Sequence, residues 1–183
     1  MPQSTITDTA PLLVIDLQTG MFDGLVDPVI HDADGIVSRV RTIMEWARST
    51  GRKIAFIRHD GPGGDSLQPG AAGWPIWPAL GQAEDEPTFS KSIGDAFSNG
   101  ALAEWVAQQR ASEVVLVGAQ TDFCVAATIK GANKAGLKVT VVSDAHSTCD
   151  LANETAAEII ARYNAAFAAA GVNLVTTKSL TSL

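Results

Sequence analysis

The chain has 183 residues, 46% of them hydrophobic and 18% charged, with a formal net charge of −7. That length suits one substantial core and is short for two ordinary domains of about 100–200 residues each. An acidic balance without any Lys/Arg cluster argues against nucleic acid and anionic membrane as partners, which need concentrated positive potential. No apolar run approaches the ~18 residues of a membrane span, so a small molecule is the expected partner.

Residues 1–10 lack the basic region and apolar stretch of a secretory signal; they are expected to be a flexible lead-in, with a cytoplasmic location following from that. Pro11-Leu12-Leu13-Val14-Ile15-Asp16 is an aliphatic run bounded by a proline and a polar turn, which suits a strand buried on both faces and ending in a carboxylate. From Ala33 to Thr50 the residues Ile36, Val40, Ile43, Met44 and Ala47 recur at helical spacing, and Gly51 stands where a helix stops. Lys53 to Arg58 reads as a second strand. His59 to Thr88 is punctuated by glycine and proline and predicts a long functional loop or lid carrying Trp74 and Trp77.

Thr88-Phe89-Ser90 predicts a short strand, and Leu102, Trp105 and Val106 mark a helix ending near Arg110. Val114 to Val117 is a buried strand that stops at Gly118 and turns through Ala119-Gln120-Thr121-Asp122-Phe123 into a helix over about Cys124 to Ala135, stopped by Gly136. Lys138 to Val142 is another strand, Asn153 to Ala170 an alanine-rich helix closed by Gly171, and Val172 to Val175 ends the series. Strands alternating with helices predict a single α/β domain over 1–183, a three-layer α/β/α sandwich around a mostly parallel, Rossmann-like central sheet. Ligands collect at the carboxyl ends of such strands. Asp16, His59, Gly118 to Cys124 and Ser143-Asp144 all fall there.

Cys124 invites two readings. A thiol in the first turn of a helix meets unpaired backbone N–H groups and the positive end of the helix dipole, which favour thiolate and can hold an oxyanion; a free cysteine is also among the most buried residue types and packs as a small hydrophobe. Asp16 alone reads equally as a turn cap, and Lys91 alone as a solvated lysine. Together with Cys124 they make a nucleophile, a proton acceptor and a stabilising cation.

Three ordered blocks resemble the isochorismatase-like cysteine hydrolases, the superfamily that includes nicotinamidases and N-carbamoylsarcosine amidases. They are Leu13-Val14-Ile15-Asp16-Leu17-Gln18 with Phe22, then Lys91 with Phe97 and Leu102, then Gly118 to Val125 continuing to Thr128, Ala132, Gly136 and Asp144-Ala145. The resemblance implies a catalytic triad of Asp16, Lys91 and Cys124, a cis peptide between Ala119 and Gln120, and an oxyanion hole from the Gln120 and Cys124 amides. It implies a homo-oligomer and hydrolysis of an amide, carbamoyl or ureido C–N bond through a thioester. Vinyl-ether hydrolysis of the isochorismatase type and a non-catalytic binding protein on the same scaffold remain the alternatives.

Phe22, His59, Trp74 and Trp77 are candidate substrate-binding residues. For His59 a plain hydrogen-bonding role stays open, and for the tryptophans the packing of a long loop onto the core. Thr19-Gly20-Met21-Phe22 departs from the Asn-Asp-Phe common in relatives. Metal-binding nicotinamidases pair an Asp-x-His with a further histidine; of His31, His59 and His146, the one with an aspartate two residues before it, in Asp144-Ala145-His146, falls within the third block of the resemblance, so no metal and no other cofactor is expected. Cys149, the other cysteine, reads as a free thiol whose redox role stays open.

Overall fold

The computed structural model describes residues 6, 7 and 9–182. Six strands form one sheet in the order β3-β2-β1-β4-β5-β6, every neighbouring pair parallel: β1 Leu12–Ile15, β2 Ile54–His59, β3 Thr88–Lys91, β4 Glu113–Ala119, β5 Lys138–Ser147 and β6 Asn173–Val175. The helices are α1 Ala33–Ser49, α2 Gly100–Gln108, α3 Ala126–Lys134, α4 Ala156–Ala169 and α5 Thr177–Thr181.

Alternation along the strands divides the core into two layers, because successive strand side chains point to opposite faces. Leu12, Val14, Phe56, Val115 and Val117 pack with the α1 stripe Ile36, Val40, Ile43, Met44 and Ala47 and with Leu180 of α5. Leu13, Ile15, Ala55, Ile57, Val114 and Leu116 pack on the other face against Leu102 and Val106 of α2, Ile129 and Ala132 of α3 and Phe167 of α4. A sheet covered on both sides explains why its strands read as unbroken apolar runs.

Several boundaries differ from the sequence expectation. Within the expected lead-in, residues 1–5 and 8 lie outside the described residues, but Ile6 and Ala10 are buried and belong to the α1-side core, and the Thr7 amide donates to Glu113 Oε2 at 3.2 Å. β5 runs on through Ser147 because, after a register shift beyond Leu116, Gly118 pairs with His146 and Ala119 with Ser147; the polar residues Ser143, Asp144 and His146 concealed this continuation. α4 starts at Ala156, since Thr155 forms a reciprocal capping box with Glu158. The short α5 was not expected from the sequence.

The strand order reverses between β1 and β4, and the two backbones press together there. A Cβ built on Gly118, whose φ is +130°, would lie 2.1 Å from the Ile15 carbonyl oxygen. Only glycine fits such an approach. Gly118→Ala is therefore expected to destabilise the fold by roughly 3 kcal/mol or more, read as a lowered urea midpoint; an unchanged midpoint would mean that β1 and β4 can separate at no cost.

Candidate active site

Three strand ends deliver the candidate side chains. Asp16 follows β1 directly, Lys91 is the last residue of β3, and Cys124 lies beyond β4. Asp16 takes a left-handed backbone, φ 48°, turning the chain away from the sheet while its amide still donates to the Ile57 carbonyl at 3.0 Å. Residues Thr121–Val125 form a π-helical turn, and α3 proper begins at Ala126. Cys124 thus sits in a widened turn of the kind often found at functional sites, not in the opening turn of an α-helix. The Ala119–Gln120 peptide is cis.

The Lys91 ammonium is the hub. Nζ donates to Asp16 Oδ2 at 2.7 Å and to Cys124 Sγ at 3.2 Å, and lies 3.5 Å from His59 Nδ1. The Lys91 and Asp16 side chains are 0% and 1% exposed, so this ion pair is withdrawn from water. Asp16, His59 and Cys124 bring possible metal-ligating atoms within 4.8 Å of one another. The charge those atoms face is the lysine's own, since Nζ contacts all three residues. Asp16 Oδ1 is buried without a hydrogen-bond partner.

Burial is the largest influence on both acids. It raises the Asp16 carboxyl above its usual 3.8, against the opposing pull of Lys91. It also pushes the Cys124 thiol up to about 12, helped by the negative charge of Asp16 and opposed by Lys91. The thiolate expected from a helix N-terminus is therefore not the resting form: burial beside a carboxylate outweighs the helix dipole.

Gln18, a residue of the first motif, braces the end of β2 beside the site. Fully buried, it accepts the His59 amide on Oε1 at 2.8 Å, and its Nε2 donates to the carbonyls of His59 at 3.0 Å and Trp74 at 2.8 Å. This strap ties the end of β2 to the long loop. Its signals in the sequence were its place in the first block and a polar side chain extending an apolar strand.

The two loop tryptophans serve different ends. Trp74 is engaged by Asp60, which accepts its Nε1–H at 2.8 Å, and by the Arg58 guanidinium, which stacks 3.6 Å from the ring centroid, so it fastens the loop. Trp77 stacks on Phe22, centroids 5.2 Å apart, and both pack against the α1-side core. Gln120 Nε2 points to Cys149 Sγ at 3.7 Å, and both cysteines are free thiols. Among the described residues no helix is long and apolar enough to cross a membrane.

A family model described as the isochorismatase domain matches residues 10–178. A streptothricin hydrolase of Streptomyces noursei is 27% identical over 148 residues, which are 81% of this chain and 58% of that protein, and a second from the same organism is 28% identical over 76% of this chain and 50% of its own length. The chain thus spans little more than half the length of these curated relatives. The crystal structure of an isochorismatase from Pseudomonas putida KT2440 superposes with a TM-score of 0.88 at 27% identity, covering 98% of this chain and 93% of that one. A cysteine hydrolase from Pseudomonas syringae pv. phaseolicola, 17% identical, shares the fold with a TM-score of 0.88 over 100% of this chain and 97% of that one.

Replacing Lys91 by Met leaves the Asp16 carboxylate buried without its counter-charge, and breaking such a pair costs about 3–5 kcal/mol. The cost depends on pH with a definite sign. A carboxyl raised in the folded state stabilises when protonated, fully below its unfolded value, and that contribution is lost as pH rises through the raised value. Lys91→Met is accordingly expected to lose most stability near neutral pH and less in acid, compared by urea melts at about pH 5 and about pH 8; equal losses at both would remove charge burial as the cause.

Proposed function

The chain belongs to the isochorismatase family of hydrolases, and on that premise we propose that it is a cysteine hydrolase cleaving the C–N bond of a small amide, carbamoyl or ureido compound through a covalent thioester. Asp16, Lys91 and Cys124 are its triad. The observation that carries this reading is the Lys91 ammonium donating at once to Asp16 Oδ2 and Cys124 Sγ, beside a buried carboxylate oxygen that has no partner. The hydrolase activity named for the Streptomyces noursei relatives supports a hydrolytic reading.

The resting thiol is protonated, so attack and proton transfer occur together. Sulfur bonds to the substrate carbonyl carbon while the S–H proton passes to Asp16, whose unpartnered Oδ1 is free to take it. Lys91 stabilises the sulfur as it loses the proton. The tetrahedral oxyanion rests on the Gln120 and Cys124 amides, each such donor being worth about 2.7–4 kcal/mol in comparable sites. Collapse breaks the C–N bond and the departing nitrogen takes the proton back from Asp16. A water then gives a proton to Asp16, attacks the thioester and releases the acid, restoring the thiol.

His59 extends the triad toward the substrate. An ammonium can only donate, so His59 Nδ1 accepts from Lys91 and a neutral ring carries its proton on Nε2. That N–H is our candidate donor to the substrate, with Phe22 and Trp77 as apolar wall.

A panel of small amides and ureides, assayed for ammonia release alongside pyruvate release from a vinyl-ether substrate, tests the reaction class. Ammonia is expected, Cys124→Ala is expected to cut turnover by about 10³-fold or more, and mass spectrometry is expected to find an acyl group on Cys124. Pyruvate release, or full activity in Cys124→Ala, would overturn the proposal. The pH profile offers a separate check. Asp16 must be ionised to take the thiol proton, so kcat/KM is expected to fall as pH drops through an acid limb that lies above the ordinary 3.8, because burial raises that carboxyl; a limb at or below the ordinary value would remove Asp16 as the base.

A further inference from the structure

Packed against the turn that carries Cys124 is a second buried polar group that the reaction scheme does not use. Thr121, the first residue of the turn, and His146, near the end of β5, are 0% and 1% exposed. Thr121 Oγ1 lies 2.9 Å from His146 Nδ1, and His146 Nε2 lies 3.0 Å from Asn164 Oδ1 on α4. Asn164 Nδ2 in turn donates to the Ser143 carbonyl at 3.0 Å.

The donors and acceptors of this chain can be assigned by elimination. Asn164 commits its amide N–H to a backbone carbonyl, so its oxygen faces His146 and can only accept. His146 Nε2 must then carry a proton. Burial, the largest influence on the ring, lowers its pKa below the ordinary 6.5, against the pull of Asn164 and Asp144, so the ring is neutral at physiological pH and Nδ1 is a bare acceptor. The Thr121 hydroxyl has one remaining way to satisfy that nitrogen, which is to donate to it.

The Thr121 rotamer is thereby set from outside the turn. Its consequence for the site is direct: the Thr121 carbonyl accepts the Ala126 amide, the bond that closes the π turn, while the Gln120 carbonyl takes the amides of Phe123 at 3.2 Å and Val125 at 3.1 Å. Other contacts hold the turn at Asp122, where Thr148 Oγ1 donates to the carboxylate at 2.6 Å and the Tyr163 hydroxyl to the carbonyl at 3.5 Å. His146 is the contact made at the turn's buried first residue.

We propose that His146, held in the Nε2–H form by Asn164, is a positioning residue that takes the Thr121 hydroxyl proton on Nδ1 and so fixes the turn carrying the Gln120 amide and Cys124. The consequence for catalysis rests on the reading of Cys124 as nucleophile; the hydrogen-bond relay itself does not. It links β5 and α4 to the turn of Cys124 through a side chain whose hydrogen bonds go to Thr121 and Asn164 and not to Asp16, Lys91 or Cys124.

Nitrogen-15 NMR of the imidazoles tests the assignment without any substrate. In the wild-type protein near neutral pH, His146 is expected to show a protonated Nε2 and an unprotonated Nδ1; the opposite tautomer, or an imidazolium, overturns the proposal. Amide hydrogen exchange then tests the positioning. Thr121→Val keeps shape and removes the donor, and His146→Gln removes the acceptor at Nδ1; each is expected to speed exchange at residues 120–125 by about tenfold while amides of α1 and β2 keep wild-type rates. The double variant is expected to be no faster than either single one, as for two partners in one bond. Thr121→Ser, which restores the hydroxyl, and His146→Asn, which returns an acceptor near the Nδ1 position, are expected to stay within about threefold of wild type. Faster exchange throughout the protein would mark a merely structural role and overturn the proposal, as would wild-type rates in Thr121→Val. Failure of Cys124→Ala to abolish turnover would sink the nucleophile reading while leaving these outcomes intact.

Discussion

A lysine ammonium withdrawn from water must be compensated in each direction it can donate, and Lys91 finds Asp16, Cys124 and His59 within 3.5 Å. The energetics are unfavourable as an aid to folding, because desolvating both members of a buried ion pair costs several kcal/mol apiece before their attraction is counted. A protein seeking stability alone fills such a place with well-packed hydrocarbon. The presence of the pair, with an orphaned Asp16 oxygen beside it, therefore points to chemistry. It also constrains the surroundings: every element that ends near Nζ has to hold its side chain where the ammonium is, or the cost of burial is left uncompensated.

The sheet meets that constraint through its order. Asp16 and the turn carrying Cys124 follow β1 and β4, which are neighbours at the point where the strand order reverses, whereas Lys91 ends β3, two places away across β2. A residue with a long, flexible stem is needed to span that gap, and lysine supplies one. β2 fills the space between with His59, paired in register with Lys91, so the third hydrogen-bonding direction of the ammonium is met by the intervening strand. Gln18 keeps that strand end in place by binding the His59 amide and carbonyl together. Arginine would match the charge but not the geometry, since its guanidinium confines its N–H groups to one plane whereas an ammonium points three donors tetrahedrally from one atom.

What the sequence made legible follows from how local each signal is. The β1 run Leu12 to Ile15, the spacing of the α1 stripe and the glycine stops were read correctly because helix and strand periodicities are short-range properties. Asp16, Lys91 and Cys124 became readable through three ordered motifs, and the structure brings them within hydrogen-bonding reach. The continuation of β5 through Ser147 was hidden because its pairing depends on a register shift in a distant strand. The tasks of Trp74 and Gln18 were hidden for a similar reason: their partners lie 14 to 56 residues away in sequence. The relation among His146, Thr121 and Asn164 gave no signal in the sequence, since it exists only once α4 has packed against the turn.

The least legible property was electrostatic. A thiol near a helix start suggests a stabilised thiolate, but the dipole at a helix terminus contributes only about 0.3–1 kcal/mol in ordinary settings, less than a tenfold change in ionisation. Here that influence competes with burial and with an adjacent carboxylate, which together push Cys124 up to about 12 despite Lys91. Two anions sharing a dry site would repel, so the pair holds a proton between them, and the raised Asp16 carboxyl belongs to the same balance. A cysteine kept as a thiol is less open to oxidation than a free thiolate, since susceptibility follows thiolate character. In the proposed reaction the proton that makes it so already lies beside the carboxylate that would receive it. Reactivity then depends less on the thiol's acidity than on the distance between sulfur and carboxylate, and that distance is set by the turn, the strand ends and the ammonium between them.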